Sequence, residues 1–266
     1  MTPTMATQQL EKTRLMMEHG GAVARIVLDD GKGNVLDHVM MESLQQILDG
    51  LKDKPDVKLI TFEGSGKHFS FGASVEEHQK DMAPTMLRSF HALFFTIRDL
   101  SIPTLARISG QCLGGGMELA IMCDFLFADQ SARLGQPEIV LGVFPPPASV
   151  ILPEKIGLSR ATDLLLTGRT IDAQEAHAIG LVNAVVADRA ALEAHVEAFI
   201  VAQILPKSAS SLRFGVKAAR VKFNHVLGNF LPTLEQLYVN QLMNTADANE
   251  GITAFIEKRA AKWTNR

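Results

Sequence analysis

Cysteine, tryptophan and tyrosine are scarce in this chain, at two, one and one among 266 residues. Cys112 and Cys123 sit in an apolar stretch, and neither a C-x-x-C nor an H-E-x-x-H pattern occurs, so spacing gives no support to a metal site. The pair reads as two buried free thiols, a usage that suits a reducing compartment. Charge of one sign is lacking too. A net charge of −3 and a pI near 6.2 imply no broad basic face, which makes nucleic acid a poor expected partner. Long apolar runs are also missing. The most apolar region, Leu105 to Phe127, is interrupted by Arg107, Glu118 and Asp124 and is no spanning helix. The stretch Met1 to His19 carries Glu11, Lys12 and Arg14 and reads as neither secretory signal nor membrane anchor. The expectation is a soluble cytoplasmic protein with no membrane partner. No G-x-S-x-G elbow is present. Gly66-Lys67-His68 fails as a phosphate loop because Thr61 stands where the first glycine is required.

What is present is apolar content, 47% of the chain, enough for one large core or a core with an appended small domain. Ala22 to Leu28, Val57 to Phe62 and Thr104 to Ile108 are compact β-like runs bounded by turn residues. Between them, Asp37 to Leu51 carries apolar residues at helical spacing with Asp37 as its cap, and Pro84 to Leu100 reads as a second helix. Such alternation predicts an α/β fold with substantial parallel pairing. After Pro206 the pattern changes: Lys207 to Phe223, Pro232 to Thr245 and Asn249 to Trp263 read as helices. The expected division is a core over residues 1–205 and a helical region over 206–266, whose apolar faces need the core or another subunit.

Three segments carry chemistry. Gly114-Gly115-Gly116 between a strand and a helix-like run (Met117 to Cys123) is costly unless backbone must pass close to something. A helix starting there presents unpaired N–H groups and a positive dipole end, suited to an anion or a developing oxyanion, and it favours an ionised Glu118 in its first turn. A tight strand-to-helix joint with a stabilising glutamate explains the segment equally well. Phe69 to Ser74 is small and polar, and Gly72-Ala73 would let a ligand approach the main chain; alone it reads as a surface loop, and the Glu76-Glu77 pair as a solvated face. Glu138, between Pro137 and the apolar run Ile139 to Val143, reads as shielded from water, which raises a carboxyl pKa and suits it to proton transfer. His177 and His195 read as surface or structural residues, and the Lys217-to-Lys222 charges as a solvated helix face.

Together these segments resemble the crotonase (enoyl-CoA hydratase/isomerase) superfamily, from about Val23 to Trp263. The resemblance rests on FSFGAS (Phe69 to Ser74), ISGQCLGGGMELAIMCDF (Ile108 to Phe125) and LGQPEIVLGVFP (Leu134 to Pro145). LTGRTIDAQEAHAIGLVNAVV (Leu166 to Val186) and EGITAFIEKR (Glu250 to Arg259) support it. It implies a spiral of ββα units with a helical C-terminal oligomerisation region that builds homo-trimers, commonly paired into hexamers. It implies an acyl-CoA substrate and no metal or redox cofactor. The backbone N–H groups of Ala73 and Gly115 would polarise the thioester carbonyl, while Glu118 and Glu138 act on one water. Lys32, Gly33 and Val35 would line the CoA groove, and Phe255 and Lys258 would reach a neighbouring subunit's nucleotide.

The sequence departs from ordinary enoyl-CoA hydratases where a glycine-rich turn follows the second glutamate. Phe144-Pro145-Pro146 begins a proline triplet here, which predicts a stiff pocket wall lacking backbone donors. With GASVEEH (Gly72 to His78), this resembles the dienoyl-CoA hydratases of anaerobic aromatic degradation. The expected function is hydration of an enoyl-CoA, with a cyclic dienoyl-CoA as the favoured substrate. A straight-chain hydratase, an isomerase of the same family and a non-catalytic binding member are the alternatives.

Overall fold

The computed structural model describes residues 6–266. The chain runs β1 (Ala6–Gln9), β2 (Thr13–Glu18), β3 (Val23–Leu28), α1 (His38–Gly50), β4 (Leu59–Gly64), α2 (Ala83–Leu100), β5 (Thr104–Ile108), β6 (Gln111–Leu113), α3 (Gly115–Met122) and β7 (Phe125–Asp129). β8 (Arg133–Gly135), α4 (Pro146–Ile156), α5 (Leu158–Thr167), β9 (Thr170–Asp172), α6 (Ala173–Ala178), β10 (Ala184–Val186) and α7 (Arg189–Phe199) follow. Three helices close the chain: α8 (Ala209–Ala219), α9 (Val221–Asn240) and α10 (Ala246–Ile256). The main sheet has the order β1-β2-β3-β4-β5-β7-β10, antiparallel from β1 to β3 and parallel from β3 onward. A second sheet, β6-β8-β9, stands beside it.

Every residue of β4 and β5 is buried, as a parallel strand covered on both faces must be. The two-residue period sorts their side chains between two apolar clusters. Val23, Leu59, Leu105 and Phe127 meet Leu192 and Val196 of α7 on one face. Ile26, Ile60, Phe62 and Ala106 join α1, α2 and α3 on the other. α1 starts where the sequence predicts: the Asp37 carboxylate accepts from Met40 N–H at 3.0 Å. Pro84 lies in the first turn of α2, where a missing N–H costs nothing.

β1 and β2 form the antiparallel end of the main sheet. Several expectations are corrected. The single helix expected over Lys207 to Phe223 breaks at Arg220, and Pro232 lies inside α9 instead of starting a helix. α10 ends at Ile256, and the rest of the stretch to Trp263 is not helical. Arg220 is no solvated charge. It is buried, with Nε and Nη2 donating to Asp124 at 2.7 and 2.6 Å and Nη2 to the Thr104 hydroxyl at 2.9 Å. Glu77 is likewise buried, against His38, while Glu76 stays exposed. The histidine and cysteine readings hold: His177 Nδ1 meets Val182 O at 2.8 Å, His195 packs on Phe127, and both thiols are free and buried.

Candidate active site

The three glycines are explained by what crosses them. Gly114 has φ 47° and ψ −129°, a conformation an L side chain rarely adopts, and turns the chain from β6 into α3. A Cβ on Gly116 would lie 2.5 Å from Cβ of Ser70, and one on Gly115 would lie 3.0 Å from the Ala73 nitrogen. The Ser70–Ala73 segment therefore passes directly over the start of α3. Ser70 is tied down by its bridge to Cys112, and Leu36 bridges to Ala73 from the other side. In that bridge Leu36 N–H donates to Gly72 O and Ser74 N–H donates to Leu36 O. The Ala73 N–H is left without an acceptor among the described residues, as is the N–H of Gly115 at the first position of α3. Two unpaired backbone donors thus stand side by side at a helix N-terminus, where they can stabilise negative charge on an oxygen.

Glu118 lies one turn in, 4% exposed, and its Oε1 accepts from Ala148 N–H at 2.8 Å. That donor comes from the first turn of α4, which the proline triplet opens. Pro146 and Pro147 occupy the opening helical positions, where N–H groups have no intrahelical partner, so they remove nothing the helix needs. The first N–H after them is the one that holds Glu118. Glu138 enters from the 3₁₀ turn Pro137–Leu141, and its Oε1 comes within 2.6 Å of where a Gly114 Cβ would be. Gln136, fully buried and with its amide nitrogen toward the carboxylate, donates to Glu138 Oε1 and Oε2 at 3.2 and 3.1 Å. Burial pushes the Glu118 carboxyl well up, and the Glu138 charge adds to this, while the Ala148 N–H works the other way. Burial raises Glu138 as well. Two carboxyls raised in one desolvated site can serve as a pair, one as acid and one as base.

Both glutamates, Ala73 and Gly115 line a cavity of about 70 Å³, walled by apolar residues that include Phe144, Pro145 and Pro146. Gly33 does not line the cavity but joins a residue that does: its carbonyl accepts from Phe71 N–H at 2.9 Å. The adjoining Lys32 is exposed and Val35 half-buried, with Asp30 carboxylate oxygens holding the Lys32 and Val35 N–H groups at 2.8 Å. The structure does not bring Phe255 and Lys258 to this cavity; both are exposed on the C-terminal segment. Sequence reasoning missed Gln136, Ala148 and His78. Gln136 stands two residues before Glu138 inside a quoted motif and carried a signal; the Ala148 donor depends on how α4 packs on α3 and carried none. Among the described residues no group of side chains suited to a metal ion occurs, and no helix is long and apolar enough to cross a membrane.

A family profile described as enoyl-CoA hydratase/isomerase matches residues 18–266. The cyclohexa-1,5-dienecarbonyl-CoA hydratase of Thauera aromatica is 42% identical over 253 residues, covering 95% of this chain and 97% of the relative. The crotonyl-CoA hydratase of Syntrophomonas wolfei is 34% identical over 239 residues, 88% of this chain and 90% of the relative. Among solved structures, an enoyl-CoA hydratase from Bacillus anthracis superposes with a TM-score of 0.73 at 29% identity, covering 98% of this chain and 99% of that one. One from Mycobacterium avium subsp. paratuberculosis gives 0.84 at 24% identity over 97% of this chain and all of that one, a likeness of fold. With the profile spanning nearly the whole chain and its paired glutamates facing two free N–H groups, this protein belongs to the enoyl-CoA hydratase/isomerase family.

Proposed function

We propose that the protein adds water across an α,β-unsaturated acyl-CoA thioester, with a cyclic dienoyl-CoA as its favoured substrate. The observation that carries this is one small cavity lined by two desolvated carboxyls and two unpaired backbone donors. The thioester oxygen accepts from Ala73 and Gly115 N–H. Glu118, whose charge the Ala148 N–H favours, takes a proton from water; the water oxygen bonds to the β-carbon, and the displaced electron pair moves onto the thioester oxygen. Glu138 then gives its proton to carbon as the carbonyl re-forms, and the proton on Glu118 resets the pair. Each backbone donor contributes about 3 kcal/mol to lowering the barrier. The chemistry needs neither metal nor redox cofactor. Lys32, Gly33 and Val35 border the CoA portion, and Phe255 and Lys258 serve a neighbouring subunit's nucleotide in a trimer or hexamer. Intact glutamates and donors weigh against a non-catalytic member.

The cyclic preference is supported by the Thauera relative and by the Pro145–Pro146 wall, which is pinned as the start of α4 and adapts poorly to flexible chains. The test is kcat/KM for cyclohexa-1,5-diene-1-carbonyl-CoA and for crotonyl-CoA. The expected ratio is at least about tenfold in favour of the ring, or about 1.4 kcal/mol in transition-state binding. It should fall when Pro146-Pro147 is replaced by Gly-Ala. A wild-type preference for crotonyl-CoA would leave a straight-chain hydratase.

A further inference from the structure

Glu118, Glu138 and His78 are the cavity-lining residues whose side chains carry oxygen or nitrogen, and the paired-carboxylate chemistry leaves His78 unused. His78 sits in the 3₁₀ turn Glu76–His78 that follows the Ala73 segment. Its Nδ1 is 2.7 Å from the Ser74 carbonyl oxygen. A carbonyl only accepts, so Nδ1 carries the proton and Nε2 the lone pair. Nε2 has no hydrogen-bond partner among the described residues and is not sealed off from solvent, and the imidazole is one of the groups that line the cavity. Removal from bulk water lowers the imidazole pKa, against the Ser74 bond, which keeps the ring neutral and the acceptor available. The cavity is also small. About 70 Å³ is room for a few waters, each needing roughly 10–15 Å³ on this scale, and three polar side chains line it.

The geometry points to His78 as the third holder of the reacting water: its Nε2 accepts the hydrogen that Glu118 does not take, and keeps that hydrogen bond to the product hydroxyl. The proposal rests on hydration and not on the ring. Water has two hydrogens and the pair of glutamates uses one of them as base. Engaging the second at His78 turns an oxygen lone pair toward the β-carbon. One proton moves from water to Glu118, the oxygen bonds to carbon, the other hydrogen stays on that oxygen, and nothing is transferred to the imidazole. A bare lone pair in an apolar wall is costly, so a hydroxylated acyl group is held better here than its saturated counterpart.

The consequence is measured by calorimetric Kd values in the Glu138→Gln background, where interconversion is slowed. The ligand pairs are 3-hydroxybutyryl-CoA with butyryl-CoA, and 2-hydroxycyclohexane-1-carbonyl-CoA with cyclohexane-1-carbonyl-CoA. The hydroxylated member of at least one pair should bind about tenfold tighter. His78→Leu should bring that ratio near one, and His78→Gln, which keeps an acceptor, should restore most of it. If His78 merely clamps Ser74, both members weaken together in His78→Leu and the ratio stands, which overturns the proposal. A ratio near one with His78 in place overturns it as well, and this decides the matter even if His78→Leu does not fold. Binding of no acyl-CoA at all would instead refute the hydratase reading, and the proposal would fall with it.

Discussion

A carboxyl group that must pass a proton to carbon needs a pKa above its solution value, and the stability of the fold is what suffers. Glu118 and Glu138 are both raised, chiefly by burial. A carboxyl whose folded pKa exceeds its unfolded value stabilises the fold fully below the unfolded value, about 4.3 for glutamate, and that stability is lost as pH rises through the folded pKa. Glu118→Gln removes the penalty without changing shape, and its amide oxygen still accepts from Ala148. The melting temperature of Glu118→Gln should therefore exceed that of the wild type by a margin that grows from pH 5 to pH 9. A margin independent of pH would show that Glu118 is not raised in the folded protein. The same buried charge is the requirement for activity, so stability and turnover should move in opposite directions in this variant.

At the scale of elements, the site is the meeting of three helix or turn starts: α3 supplies Glu118 and the Gly115 N–H, α4 supplies Ala148, and the Pro137–Leu141 turn supplies Glu138. α4 packs on α9, and α9 follows directly on Arg220, whose guanidinium grips Asp124 just before β7. Arg220→Ala leaves the Asp124 carboxylate without that partner and should cost about 3 kcal/mol in urea unfolding. A loss under 0.5 kcal/mol would mean that the pair is a solvated surface contact. How much was legible differs between these elements. β3, β5, α1 and the α2 start could be read because period, cap and proline signals are local. Gly114–Gly116 and Glu138 could be read because backbone crossing and desolvation leave marks in nearby residue types. Arg220 and Glu77 could not, since the partners that bury them, Asp124 and His38, are distant in sequence.

For the molecule as a whole, the C-terminal helices leave apolar side chains uncovered: Phe214, Val221, Phe230 and Phe255 are each at least half exposed. Exposed apolar side chains of this kind are what an interface between subunits would cover. Sedimentation should give a trimer or hexamer, and Phe255→Ala together with Lys258→Ala should raise KM for acyl-CoA with little effect on kcat. A fully active monomer would remove both residues from CoA binding. The central claim, that paired glutamates add water to an unsaturated thioester, is tested most directly by product mass in isotopically labelled water. The assay takes crotonyl-CoA and the cyclic dienoyl-CoA in parallel, with the wild type and Glu138→Gln. The account predicts a wild-type product heavier by one labelled water, and in Glu138→Gln a turnover at least about a hundredfold lower with acyl-CoA affinity retained. A product of unchanged mass, or undiminished turnover in Glu138→Gln, would contradict it.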